Sequence, residues 1–191
     1  VIEAEYPEPN SLNSTERNRR ADATIDQLVV DQSEDGKIRL SRYLYRTKYN
    51  LPDAQVDLAD AVSLAPEEPD VLLTAGSQAL DEGRKLKVDP AKSAEASVLL
   101  DTAEAHFQKL TSRPVKDLIP AAFIGLGDVL LAKGDTDAAL AAWQKGLKHF
   151  TVPTVRITLQ SRVASTLLDA NRLTEAAESM ADIDQMLKNL T

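Results

Sequence analysis

The sequence predicts an all-α fold built from tandem helical hairpins, and three observations carry that prediction. Between Pro120 and Thr151, Phe123, Leu126, Gly127 and Leu130 fall on one helical face. Gly134 then interrupts, and Ala139, Trp143 and Gly146 form a second stripe of the same large-and-small kind. Such a pair describes two helices whose closest contacts admit only Gly or Ala. The second observation is a recurring signature: a small residue, a large apolar one four positions on, and a small or apolar one after three more. It occurs as Ala54/Leu58/Ala61, Ala103/Phe107/Leu110, Ala139/Trp143/Gly146 and Ala176/Met180/Ile183, with Ala21/Ile25/Leu28 as a degenerate copy. Recurrence on this scale marks a repeat architecture. The third is compositional. Of 191 residues 43% are hydrophobic but only 4% aromatic, Ala and Leu are abundant, and no segment alternates as a half-buried strand would.

The elements follow in order. Residues 1–13 carry Pro7 and Pro9 and few apolar groups, and read as an extended arm or linker. A helix is expected from Asn13 or Ser14, with Glu16 placed for a capping box and Ala21, Ile25, Leu28 and Val29 as its apolar stripe. From Lys37 to Tyr49, Leu40, Tyr43, Leu44 and Thr47 share one face, and Arg39, Arg42 and Arg46 share the other. Asn50–Pro52 turns the chain into a helix with Ala54, Leu58, Ala61 and Val62 inward, closed at Pro66–Pro69. Leu72, Leu73, Gly76, Ala79 and Leu80 define the next helix, expected to stop at Gly83. A longer one runs from about Pro90 to Leu110, turning Ala96, Leu99, Leu100, Ala103, Phe107 and Leu110 inward. The two stripes already described come next, and a last pair, Val155–Leu168 and Leu173–Leu190, is joined at Asn171. Residues 84–100 have no counterpart in the other units. They read as an insertion of roughly fifteen residues that lengthens one hairpin and offers a second contact surface.

Charge and composition exclude several classes. The net charge is -8, and its excess is concentrated in residues 51–112, where 12 acidic residues face 5 basic ones. That balance opposes a general affinity for nucleic acid or anionic membrane, and gives the middle of the chain a preference for cations. No apolar run reaches the roughly 18–20 residues that span a bilayer. There is no cysteine, hence neither disulfide nor thiolate metal site, which fits either redox compartment. The start at Val1 reads as that of a processed product or excised fragment from which a targeting segment could have been removed, so the compartment stays unassigned.

At these residues the chain resembles the tetratricopeptide repeat (TPR) family. Phe123, Leu126, Gly127, Leu130, Gly134, Ala139, Trp143 and Gly146 stand at the family's signature positions, with the closing proline displaced to Pro153. Pro69–Gly83 followed by Ala103–Pro114 matches around the insertion. Leu40, Ser41 and Leu44 with Ala54–Pro66 match with a turn one residue longer, and Val163, Ala164, Leu167, Asn171 and Ala176 form the last copy. The Ala-rich pattern is shared with other helical-hairpin repeats. The resemblance implies a right-handed α-solenoid of about four TPR-like hairpins plus an N-terminal helix. It would be a single domain over 14–191, with approximate repeats at 36–68, 69–118, 119–153 and 154–191. In such a stack Gly76 and Gly127 let helix backbones approach, Gly134 permits a left-handed turn, and Phe107 and Trp143 fill the space between hairpins.

The resemblance also implies an interaction scaffold whose first helices line a concave groove. Groove positions here are Arg39, Arg42, Arg46, Ser77, Leu80, Asp81, Ile124, Asp128, Leu131, Ser161, Arg162, Ser165 and Asp169, with Tyr45 beside the arginines. The Lys/Asn/Arg set with which some members clamp a carboxyl-terminal peptide is not reproduced at Arg39, Arg42, Thr74, Ala121 and Gly125.

Among individual residues, Arg39, Arg42, Arg46, Tyr45 and Tyr49 are the sharpest cluster. They suit one end of a groove for an acidic peptide, or else a solvated face paired with acids near Asp31–Asp35. Asp31–Ile38 mimics the start of a calcium loop, but Arg42 stands where the closing bidentate Glu belongs, so an acidic turn is the better reading. His106 and His149 lack neighbours at ligand spacing. Asp57, Asp60, Glu67, Glu68 and Asp70 read as solvating charge. Nothing orders Ser, His and Asp as nucleophile, base and orienter. The expected function is a non-enzymatic protein–protein interaction scaffold, without cofactor or metal. It would take a protein or peptide partner, bind no nucleic acid and insert in no membrane. The alternative is a structural spacer or oligomerisation segment of a larger multi-domain protein, with the outer face of Leu173–Leu190 available for self-association.

Overall fold

The computed structural model describes residues 14–188, which form nine α-helices, two short 3-10 turns and no strand. The arm expected over 1–13, and the cap residue Asn13, lie outside the described residues. The described chain divides into two compact units, one up to Val71 and one from Leu72 onward.

The first unit holds α1 (Ser14–Asp31), α2 (Gly36–Lys48) and α3 (Ala54–Leu64). Ile25 and Val29 of the predicted α1 stripe are buried. Asp35 caps α2, its carboxylate accepting the Lys37 backbone N–H at 2.8 Å, so the acidic turn spends an oxygen on starting a helix. Asn50 and Asp53 both take left-handed φ (52° and 62°) in the turn to α3. The two helices then close together: a Cβ on Gly36 would stand 2.6 Å from the Cβ of Ala65. Two expectations fail here. Leu44 is 51% exposed although its stripe faces inward at Leu40 and Tyr43, and Asp57, expected on the surface, is 0% exposed. The causes are one. Asp57 lies in the α2–α3 seam and draws the α2 arginines to it, which turns Leu44 outward.

The second unit takes the body of α4 (Pro69–Lys87), then α5 (Ser93–Thr111), α6 (Pro120–Lys133), α7 (Thr136–His149), α8 (Pro153–Asp169) and α9 (Leu173–Lys188). One apolar cluster joins α4, α5 and α6 through Leu72, Leu80, Leu100, Phe107 and Val129. A second joins α6 to α9 through Phe123, Leu140, Trp143, Leu159, Val163 and Ala176. Since α6 supplies both, each hairpin buries its apolar side against the next, as stacked repeats must. Phe107 lies against Gly76 of its own hairpin and Gly125 of the following one; a Cβ at Gly125 would approach the ring Cε2 to 2.8 Å. Trp143 covers Gly127, and its indole N–H donates to the Ile124 carbonyl at 3.2 Å. Gly134 ends α6 at φ 92°, its N–H directed to the Leu130 and Leu131 carbonyls, and Asn171 (φ 57°) makes the bend between α8 and α9.

Gly83 does not stop α4. The helix runs on to Lys87, and a Cβ at Gly83 would lie 3.0 Å from the Leu100 side chain and 3.3 Å from the Ala96 carbonyl. This glycine is a close-approach residue, and the packing it allows outweighs its helix-propensity cost of about 1 kcal/mol. The insertion is absorbed as a longer hairpin: α4 and α5 have 19 residues each where α6 and α7 have 14. In α9 the signature residue Met180 is 51% exposed, alongside exposed Leu173 and Leu187. Among the described residues no helix follows to cover that face.

Candidate protein-interaction cleft

The first helices of the three hairpins in the second unit, α4, α6 and α8, are tied by a row of charges. At its centre is Asp128, one residue past the tightly packed Gly127 and therefore carried to the edge of the core, 6% exposed. A carboxylate there needs a partner. Arg162 of α8 supplies one, its Nη2 at 3.0 Å from the Asp128 carboxylate. Arg84 of α4 donates to the Asp128 backbone carbonyl at 3.0 Å and stands 3.9 Å from its carboxylate. Lys87 donates to the Ala132 carbonyl in the last turn of α6, where an ammonium meets the negative end of the helix. Burial pushes the Asp128 carboxyl above the ordinary aspartate range, against the opposing pull of Arg162 and then Arg84.

Beside this row, between α6 and α8, is a cleft of about 470 Å³. Its apolar lining is Leu131, Ile157 and the fully buried Trp143; Thr158, Ser161 and Ser165 add hydroxyls, and Arg162 and Asp169 add opposite charges. A smaller recess of about 320 Å³ lies between the end of α4 (Arg84, Lys87), the following Val88, and Leu131 and Ala132. Leu131 is common to both.

The expected groove residues distribute unevenly over this geometry. Leu131, Ser161, Arg162, Ser165 and Asp169 come together in the larger cleft, and Asp128 joins them through its ion pair. Ile124 enters through its carbonyl, which fixes the Trp143 indole. Ser77 and Asp81 are exposed on α4 but line neither recess. Leu80, expected in the groove, is 5% exposed in the core beneath it.

In the first unit, Arg39, Arg42 and Arg46 are not open cationic forks. Arg42 and Arg46 reach the Asp57 carboxylate at 2.6 and 2.9 Å, and both also meet Asp26 of α1, at 3.0 and 3.1 Å. Arg39 pairs with Asp60 at 3.1 Å. Tyr45 donates its hydroxyl to Asp22 at 2.6 Å and stacks obliquely on Tyr49. The cluster is an internal clamp on α1, α2 and α3, and its partners are Asp26, Asp57 and Asp60 in place of the expected Asp31–Asp35. Neither histidine enters a site: His106 is half-buried, with burial and then Lys109 lowering its basicity, and His149 lies 5.7 Å from the Phe123 ring.

Ile157, Thr158 and Thr166 of the larger cleft, and Arg84, Lys87, Val88 and Ala132 of the smaller recess, are lining residues that sequence reasoning missed. Arg84 was within reach, since it follows Ser77 and Asp81 on one helical face. Reading Gly83 as a helix end cut that face off one residue too early.

No family model matches the chain, and no curated protein matches it in sequence. Among solved structures, the crystal structure of PilW, a widely conserved type IV pilus biogenesis factor, aligns with a TM-score of 0.40 at 18% identity, over 93% of this chain and 92% of that one. At that score the likeness carries no argument about role, and the helical-hairpin architecture stands on the chain's own helices and seams. No helix among the described residues is long and apolar enough to cross a membrane.

Proposed function

We propose that this chain is a non-enzymatic interaction scaffold that holds a peptide or a partner's helix in the cleft between α6 and α8, beside the charge row that reaches α4. The observation that carries the reading is the cleft itself. An apolar floor of Leu131, Ile157 and Trp143 lies under a polar rim, on helices already tied to one another by Asp128, Arg84 and Arg162. A floor held by packing and a rim held by ion pairs need little ordering when a ligand arrives, and less lost entropy opposes binding. The α2 arginines enter this reading as supports of their own unit, since their charges are spent on aspartates. No residue is assigned a catalytic part, and no cofactor is invoked.

The test is a random peptide library displayed and panned against the purified chain. Binders are then measured against Ser165→Arg, which fills the cleft from an exposed rim position, and against Met180→Arg on the outer face of α9. A loss of about tenfold or more with Ser165→Arg alone is expected, as for a blocked hot spot. A library without binders, or binders indifferent to Ser165→Arg, overturns the proposal.

A further inference from the structure

Resting on that reading of the cleft, we infer that its ligand is an extended peptide segment carrying an acidic and a basic side chain about three residues apart, with an apolar side chain between them. The argument begins with the two charges of α8 that line the cleft. Arg162 and Asp169 are seven residues apart, so they lie on one face of the helix, about 10 Å from each other along its axis. Ser165 falls between them on the same face. A segment in the polyproline II form advances about 3.1 Å per residue with three residues per turn, so side chains at i and i+3 share one face and span about that length.

Each charge has capacity left for a ligand. Arg162 meets Asp128 with Nη2 at 3.0 Å, and its side chain is 49% exposed. A guanidinium has five N–H donors, which leaves an edge free to take a second carboxylate. Asp169 is exposed, and among the described residues it has no ion pair. The row above the cleft limits the sign of what can bind at each end. Asp128 is already neutralised by Arg162 and Arg84, and Arg84 is itself 41% exposed, so the Arg162 end presents net positive charge. The Asp169 end carries a single carboxylate with no cation beside it in the lining. Between them, the half-buried Leu131 and Ile157, backed by the fully buried Trp143, offer an apolar surface that a Leu or Phe side chain would cover. A uniformly acidic or uniformly basic segment satisfies one end and meets its own sign at the other, which is how charge order gives specificity.

The experiment uses labelled twelve-residue peptides with flexible flanks and the core Glu-Leu-Ser-Lys, compared with Gln-Leu-Ser-Gln, Lys-Leu-Ser-Lys and Glu-Leu-Ser-Glu by fluorescence anisotropy on the full chain. The bipolar peptide should bind about five- to tenfold tighter than the neutral one, in line with two partly exposed pairs. Arg162→Glu should reverse the preference toward Lys-Leu-Ser-Lys, and Asp169→Lys toward Glu-Leu-Ser-Glu. Both positions are exposed, and circular dichroism of each variant verifies that it is folded. Equal binding of the bipolar and neutral peptides, or preferences unmoved by the two reversals, overturns this inference. The scaffold reading is judged separately: library binders that remain sensitive to Ser165→Arg but show no bipolar core would leave it standing while this inference falls.

Discussion

Replacing Gly127 by alanine tests the packing on which the second unit depends. The added Cβ would stand 2.6 Å from Trp143 Cδ1 and closer still to Nε1 and Cε2, where an ordinary contact needs at least about 3.4 Å. The indole cannot swing aside into solvent, because Trp143 is 0% exposed and its N–H is held by the Ile124 carbonyl. Either the ring or one helix must shift by roughly an ångström. Overpacking of this kind costs about 1–3 kcal/mol. Losing the indole hydrogen bond inside the core adds about 1–3 kcal/mol. Alanine's helix preference returns about 1 kcal/mol. The net expectation is a destabilisation of about 3 kcal/mol. Urea unfolding followed by tryptophan emission measures it, and Trp143 is the sole tryptophan, so the signal reports this unit alone. Two other glycines serve as controls. Gly134→Ala meets nothing within 4 Å but is forced into φ 92°, at a cost of about 1–2 kcal/mol. Gly83→Ala would meet the buried Leu100 side chain at 3.0 Å and the Ala96 carbonyl at 3.3 Å, a milder crowding than at Gly127, so after the propensity gain a net loss of about 1 kcal/mol is expected. If Gly127→Ala unfolds within about 0.5 kcal/mol of the wild type with unchanged emission, the reasoning about this contact is refuted.

Asp57→Asn should cost about 3–5 kcal/mol in the first unit, because it leaves three arginines around a fully buried neutral group. Amide exchange in α2 and α3 is the readout, and unchanged protection would show that the clamp carries no stability. Asp128 should titrate above the ordinary aspartate range when its carboxyl carbon is followed by NMR. Its folded pKa is raised, so the folded state holds the proton more tightly than the unfolded chain. This group therefore detracts from stability at neutral pH, and the penalty fades as pH falls through the raised value. Arg162→Gln removes the larger opposing cation and should move the midpoint further up. A fall, or no movement, refutes the assigned cause.

What the sequence disclosed and what it withheld divide along a physical line. Contacts between a glycine and an aromatic ring leave a mark on the chain, since few other residues fit, and Gly76, Phe107, Gly127 and Trp143 were legible for that reason. Gly134 was legible too, as a residue past a helix end whose backbone turns left-handed. Ion pairing across helices leaves no such mark. Asp57 stands in α3 like any solvating carboxylate, and only the seam shows that it is buried and clamped by α2. The inward face of α2 followed that error, because counting apolar residues alone placed Leu44 inside and the arginines outside. Gly83 was misread for the opposite reason: helix stops and close approaches use the same residue, and only the neighbouring Leu100 distinguishes them.

The packing and the cleft are in part the same atoms. Trp143 is pressed onto Gly127 on one side and lines the space between α6 and α8 on the other. Its indole is fixed by Ile124, a residue of the same helix that carries Asp128 and Leu131. A methyl group at Gly127 that displaces the ring must therefore also displace the floor under Leu131 and Ile157. Mild denaturant should weaken cleft binding only as the unit unfolds, whereas Gly127→Ala should weaken it in protein that is still folded. Binding in that variant that stays at wild-type strength whenever the chain is folded would place the ligand's contacts elsewhere than on this floor.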